Sequence, residues 1–377
     1  MKLLYSVFFN APMGGLHENV YSTALFMKRN NCDVYVVLKA GLLQKRLNLQ
    51  GIKTITTDFS STQETLKSIE NTGINFDLIH FHPGPSKNAV LEYAEKYGTP
   101  IVETFHGTWS DAIYRHIHRL NAIITVSDSI RDYLQSRMNN NAERYKIQSN
   151  SYDEIFHVIP NGFDADLFSK PVFYDERKKN IDIALVTRFD RDKLFIIDIM
   201  LLAVNHIKKQ DVVKVNINVI GEGTYLNEFK NICKSLLENT QHTINLKGWL
   251  VDEDLKNAYL DNDIIIAPGR AAIEGMASGK PVIAVGSKKY IGVIDQENWQ
   301  FGVYNNFGGT GEKILGYELN SIENDLDFLL HNRESIKTVG EFSYKIAKQF
   351  FNANKANKDL LNLYEILCLG ERLKKSN

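Results

Sequence analysis

The sequence predicts an α/β chain built from two doubly wound domains with a cleft between them. Three observations carry that prediction. Short apolar runs alternate with helix-length amphipathic segments, the rhythm of a mostly parallel sheet covered on both faces. A polar stretch, residues 170–180, interrupts the rhythm, which then restarts. The length of 377 residues suits about two domains.

Residues 3–9 read as the first strand, ended by Asn10, Pro12 and the Gly14-Gly15 pair. Val20, Leu25 and Phe26 give residues 18–30 helical spacing. Residues 34–38 are a β-branched strand, and 76–81, 101–104, 122–126 and 155–159 are further strands separated by helix-length segments. Beyond the polar linker, 181–187 is a strand, 195–208 an amphipathic helix, and 214–220 a strand running into Gly221-Glu222-Gly223. Strands at 243–246, 263–267 and 281–285 alternate with helices at 225–237, 252–260 and 271–278. Apolar spacing from Phe342 to Leu367 marks 339–367 as a helical tail.

Apolar residues at 44% and charged residues at 24% are ordinary for globular proteins and exclude a disordered, collagen-like or coiled-coil chain. Lys plus Arg is 44 and Asp plus Glu is 45, so the basic excess of a nucleic-acid coat is missing. Cys32, Cys233 and Cys368 make neither a disulfide framework nor a zinc knuckle. No apolar run approaches the ~20 residues of a membrane span, and 3–9 is too short for a secretion signal. A cytoplasmic protein is therefore expected. Residues 1–60 carry seven basic and three acidic side chains. That bias is either a solvated helix face or a peripheral contact with an anionic inner membrane surface.

Ligands of such folds sit beyond the carboxyl ends of the strands, so strand-to-helix turns are the places to look. Gly14-Gly15 permits a tight turn before the first helix, whose amides can hold an anion. The pair is neither a P-loop nor a Gly-x-Gly-x-x-Gly signature. His106 follows a strand and precedes Gly107, which suits either a hydrogen-bonding role near a substrate or a plain loop histidine. His80, His82 and His106 have only a weak resemblance to a metal set, because no Cys or carboxylate completes it. His116 and His118, in a basic stretch, read as surface residues. Arg188 and Lys193 flank one turn and either converge on a diphosphate or form a solvated charged loop. Gly221 and Gly223 give backbone freedom at the next turn. In 268–283, Pro268, Gly269 and Arg270 open a helix of small residues that contains Glu274 and stops at Gly279-Lys280-Pro281. An acid in such a helix is placed to accept hydrogen bonds from paired sugar hydroxyls.

At this stretch the chain resembles the retaining GT-B glycosyltransferases of family 4. The matching pieces run almost end to end: Gly14-Gly15 and the helix after it, Asp77 to His80, Pro100 to Gly107, Val126-Ser127, Val158 to Asp164, Arg188 with Lys193, Gly221-Glu222-Gly223, and Glu274 to Val282. The resemblance implies two Rossmann-like domains, 1–168 completed by a returning helix 341–377, and 169–340. It implies a nucleotide sugar, most plausibly a UDP-sugar, as donor and substrate, with no cofactor and no metal. Gly14, Gly15 and Gly221 would lie along the donor, and Arg188 and Lys193 would neutralise the leaving diphosphate. Glu274 would bind the ribose, Gly269 would bring helix amides to phosphate, and His106 would contact the donor sugar. Arg270 would either read an anionic sugar or pair with a neighbouring carboxylate. The acceptor would be a glycan or lipid-linked hydroxyl of a cell-surface precursor. Counting eight residues back from Glu274 to the family's usual second acid reaches Ile266. That departure also admits a subunit without turnover, although the retained Arg188, Lys193, Glu274 and His106 weigh against it. A GT-B epimerase or phosphorylase is a further alternative.

Overall fold

The structure is a computed structural model and describes all residues except 9–13, 108, 146–151, 212, 311–312, 315 and 377, with side chains described as far as 370. The chain divides into two compact units, 1–161 with 353–377, and 162–352. These divisions replace the expected ones at 168/169 and 340/341.

The first unit contains β1 (Lys2–Ser6), α1 (Gly15–Arg29), β2 (Asp33–Leu38), α2 (Leu42–Leu49), β3 (Lys53–Thr56), α3 (Thr62–Glu70), β4 (Leu78–Phe81), α4 (Lys87–Tyr97), β5 (Ile101–Phe105), β6 (Ala122–Thr125), α5 (Asp128–Asn139), α6 (Ala142–Tyr145) and β7 (Phe156–Val158). The strands are all parallel, in the order β3-β2-β1-β4-β5-β6-β7. β3, with the polar sequence Lys-Thr-Ile-Thr, is an edge strand that periodicity did not reveal. The second unit continues with β8 (Asn180–Val186), α7 (Leu194–Ile207), β9 (Lys214–Ile220), α8 (Leu226–Leu237), β10 (Thr243–Gly248), α9 (Asp252–Asp261), β11 (Ile264–Ala267), α10 (Gly269–Ala277), β12 (Val282–Val285), β13 (Tyr290–Val293), α11 (Trp299–Tyr304), α12 (Ser321–Leu330) and α13 (Arg333–Phe350). Its order is β10-β9-β8-β11-β12-β13, with only β13 antiparallel. The strand order reverses between β1 and β4 in one unit and between β8 and β11 in the other, the switch points at which doubly wound folds bind ligands.

Alternation along the central strands divides each core into two faces. In β11, Ile264 and Ile266 join the layer built with α7 and α8, where Met200 and Phe229 lie. Ile265 and Ala267 face the other way, onto Ala272, Ile273 and Met276 of α10. Gly275 lets α10 lie close to the sheet, since a Cβ there would stand 3.2 Å from Ile265 and Val282. The helix ends in a Schellman arrangement, with Gly279 at φ +80°, its N–H donating to Met276 O and that of Lys280 to Gly275 O.

Residues 162–179, expected in part as a linker, belong to the second core. Phe163, Phe168 and Tyr174 are buried there, and Lys178 pairs with Asp182 at 2.9 Å and Asp263 at 2.7 Å. The expected tail is two helices. α13 stays with the second unit because Ile336, Val339, Ile346 and Ala347 are buried in it. Gly340 is needed there, since a Cβ would lie 2.5 Å from Gly279 O. The first unit is rejoined at α14 (Ala353–Ser376). Its Leu360, Tyr364 and Cys368 are buried, and Asn357 accepts from Thr23 Oγ1 of α1 at 2.9 Å. Among the described residues, no helix is long and apolar enough to cross a membrane.

Lys280 is 2% exposed and donates from Nζ to Leu260 O at 2.9 Å. Burial pushes its ammonium from the ordinary 10.5 down to about 8. Between these values the unfolded chain holds more protons than the folded one, so this residue makes stability rise with pH across that window. Lys280→Met is expected to stabilise the protein at pH 7 and to flatten that rise. Urea unfolding of both proteins at pH 7 and above checks it, and parallel pH dependences would refute it.

Candidate donor site on the second unit

The turns at the carboxyl edge of the second sheet are laced together by their backbones. Phe189 N donates to Glu222 O at 2.9 Å, and Tyr225 N to Phe189 O at 2.8 Å. This close approach explains the glycines. A Cβ on Gly221, at φ +134°, would lie 1.9 Å from Thr187 O, and one on Gly223 would lie 2.5 Å from the Phe189 carbonyl carbon. Gly221 is thus fixed first by the turn beside it. Phe189 is fully buried below, its ring 4.9 Å from that of Phe229.

On this platform Arg188 reaches Asp190 at 2.8 Å and Asp192 at 2.9 Å. Lys193 lies 3.2 Å from Asp192 and donates to Ser287 Oγ at 2.8 Å. Asp190 also accepts from Thr224 N at 3.2 Å. Desolvation lowers the pKa of Lys193, with Asp192 opposing. Burial raises that of Asp192, but Lys193 and Arg188 outweigh it and hold the acid below its ordinary value. The two cations and two acids therefore form one cluster. Ser287, in the turn after β12, had no distinguishing sequence signal, whereas Asp190 and Asp192 stand out as two acids flanking one turn.

β11 passes into α10 through Pro268 alone. Gly269 takes φ +48°, and its N–H donates to Phe307 O at 3.1 Å. Phe307 follows α11. Asn306 and Phe307 both adopt positive φ, at 50° and 51°, the kind of backbone strain found beside functional sites. Arg270 Nε donates to Glu274 Oε1 at 2.7 Å, one helical turn apart, and Tyr259 OH donates to Oε2 at 3.4 Å. Of the two readings of Arg270, the structure shows the carboxylate pairing, and the carboxylate is Glu274 itself. Ile266 is fully buried and points away from α10. It is a core residue and no stand-in for a sugar-binding acid. The connection that would present such an acid is one residue long.

The structure thus gathers Arg188, Lys193, Gly221, Gly269, Arg270 and Glu274 at one sheet edge. Gly14, Gly15 and His106 belong to the first unit. Gly14 is extended and its carbonyl accepts from Glu18 N in the first turn of α1, which starts at Gly15; Pro12 and Met13 lie outside the described residues. His106 follows β5, with Nε2 3.2 Å from His82 Nδ1. Among the described residues, no three His, Cys, Asp or Glu side chains form a metal-holding group. His116 is corrected from surface to core. It is 2.9 Å from Glu103, which is fully buried, while His118 is exposed. Burial raises the pKa of Glu103, with His116 opposing.

Residues 13–167 match the model of Glycosyltransferase Family 4, and residues 170–345 match that of Glycosyl transferases group 1. An uncharacterized glycosyltransferase of Methanocaldococcus jannaschii is 28% identical over 305 residues, covering 75% of this chain and 73% of the relative. The alpha-monoglucosyldiacylglycerol synthase of Streptococcus pneumoniae is 23% identical over 264 residues, covering 61% and 55%. Among solved structures, Anabaena HepE in complex with UDP and glucose superimposes with a TM-score of 0.69 at 18% identity, covering 97% of this chain and 99% of the other.

Proposed function

We propose, for a chain that belongs to the group 1 glycosyltransferases of GT-B fold and is therefore a glycosyltransferase, that it transfers a sugar from a UDP-sugar to an acceptor hydroxyl with retention at the anomeric carbon. The observation that carries this reading is the placement of Arg188, Lys193 and the N-terminal turn of α10 beyond two adjacent central strands, β8 and β11. As the bond from the anomeric carbon to the diphosphate breaks, negative charge grows on the leaving oxygen. Arg188, Lys193 and the α10 amides are the groups that would offset it. The acceptor oxygen bonds the anomeric carbon on the face the diphosphate leaves, and its proton passes to the departing phosphate. Glu274 would take the ribose hydroxyls, because a carboxylate is acceptor-only and offers about four acceptor sites, and it stands in the first turns of the helix that follows β11. Its bonds to Arg270 and Tyr259 hold it in one orientation beforehand. His106 would contact the donor sugar.

UDP in the HepE complex supports the choice of nucleotide. The pneumococcal relative, named for a glucosylated diacylglycerol, supports a lipid-linked acceptor, and the basic bias of residues 1–60 suits peripheral contact with an anionic surface. Ile266, packed in the core on the sheet face away from α10, speaks against the reading without turnover.

A panel of nucleotides in a thermal-shift assay tests the donor. UDP at about 100 times its Kd should add roughly 2.7 kcal/mol of stability, and ADP and GDP should add much less. Release of UDP from UDP-glucose with a lipid acceptor should survive EDTA. Asp190 and Asp192, an acid pair on the turn that carries Arg188, are already engaged by Arg188. Activity lost to EDTA and restored by Mg²⁺ would overturn the metal-free mechanism. Free UDP with epimerised sugar from donor alone would identify an epimerase instead.

A further inference from the structure

Five neighbouring strands of the first sheet bring aromatic and basic side chains to one edge. In sheet order, the turns after β3, β2, β1, β4 and β5 carry Phe59, Lys39, Phe8, Gly84 and Trp109. The Phe8 ring meets that of Phe59 edge-on, with centroids 5.8 Å apart. Lys39 Nζ stands 4.6 Å from the Phe8 centroid. On the other side of Phe8 comes Gly84, at φ +127°, where a Cβ would lie 3.5 Å from both Phe8 Cδ1 and Trp109 Cη2. Two rings thus flank one bare glycine.

The row is held in place. Phe59 takes φ +60° and Asp111, two residues past Trp109, takes φ +46°, a backbone rare for side chains other than Gly and gathered at ligand sites. Asp111 Oδ2 accepts from Gly84 N at 2.7 Å. Lys87 reaches Asp111 Oδ1 at 2.7 Å and donates to its carbonyl at 2.9 Å. These bonds fasten the segment that carries Trp109 onto the turn after β4. Trp109 itself is 59% exposed, so a large, positioned ring is offered to solvent at the edge where doubly wound folds take ligands.

We propose that this row is an acceptor subsite in which a pyranose ring stacks on Trp109, so that the acceptor's reacting end is a carbohydrate. A pyranose presents C–H groups on its face and hydroxyls around its rim. The rings of Trp109 and Phe8 match the face. Exposed Lys39 and Asp58, beside Phe8 and Phe59, match the rim as donor and acceptor. An acyl chain laid along the same row would have to desolvate those two charges without pairing them. This inference names the acceptor class of the proposed transferase and rests on that reading for its place in turnover, whereas the subsite itself rests on geometry within the first unit.

The test follows the indole N–H signals of the full chain labelled with ¹⁵N-tryptophan. The chain has three Trp, and the signal missing from Trp109→Phe is that of Trp109. Maltose, cellobiose, lactose and N,N′-diacetylchitobiose are the probes, each taken to about 50 mM so that millimolar Kd values are reached. At least one should move the Trp109 signal saturably. With that sugar as acceptor and UDP-glucose as donor, Trp109→Ala should raise the acceptor KM about 3- to 10-fold, the worth of one aromatic contact. Trp109→Tyr, which keeps a stacking face, should recover most of it, and UDP Kd should stay within about twofold in both variants. A Trp109 signal unmoved by all four sugars overturns the proposal. So does a signal moved by phosphatidylglycerol vesicles and by no sugar, which would mark a membrane contact instead. An unchanged acceptor KM in a folded Trp109→Ala overturns it while leaving the UDP-sugar reading intact. A saturable shift with no release of UDP leaves the subsite standing and counts against the donor reading.

Discussion

Glu274→Ala is expected to cost about 3–5 kcal/mol of stability, the scale of a buried ion pair that has lost one member. Arg270 and Glu274 retain only 12% and 9% of their side-chain exposure, so water cannot replace the lost carboxylate around the guanidinium. Glu274→Gln should keep the shape and much of the hydrogen bonding and should fold. It removes the charge that would hold the ribose, and UDP affinity should fall by about 1.5–3 kcal/mol, the range for hydrogen bonds to charged groups. Denaturant unfolding measures the first effect and calorimetric titration with UDP the second. A folded Glu274→Gln that binds UDP as tightly as the parent would remove Glu274 from the nucleotide site. Replacing both members with Met in a double-mutant cycle separates the pair's net worth from the cost of breaking it, and the double variant should be far less unstable than Glu274→Ala.

Arg188→Ala and Lys193→Ala are each expected to lower kcat/KM for the donor by about 2–4 kcal/mol, roughly 30- to 1,000-fold. The charge they would meet forms fully only as the diphosphate leaves, so kcat should fall more than KM rises. Their effects should not add, since both cations touch Asp192. Lys193 also brings a pH dependence. Desolvation lowers its pKa, and only the protonated form would offset the diphosphate, so activity should fall as pH rises through a value below that of a free lysine. Lys193→Arg should abolish that alkaline limb. Unchanged kinetics in folded Arg188→Ala and Lys193→Ala would detach both residues from the diphosphate.

The order of strands and helices was legible in the sequence because buried parallel strands are nearly continuous apolar runs, such as those of β8 and β11, and the turns between them carry Gly and Pro. The same signal marked Glu274, since a lone acid in a helix of small residues stands out, and Arg188 with Lys193, since both flank a turn after a strand. Edge strand β3 and antiparallel β13 were not legible, because neither has the apolar run of a central strand. Three things were decided only in the folded chain. Ile266 lies eight positions before Glu274 in the chain, yet strand alternation turns it to the opposite face of the sheet. Arg270 was open between a sugar and a carboxylate until the helical turn placed Glu274 2.7 Å away. Long-range contacts of His106 and Lys193, with His82 and Ser287, come from the ends of β4 and β12, 24 and 94 residues distant in sequence. Periodicity reports which face a residue takes within its own element. Which residues share a sheet edge depends on strand order, and strand order is settled by how the helices cover the two faces.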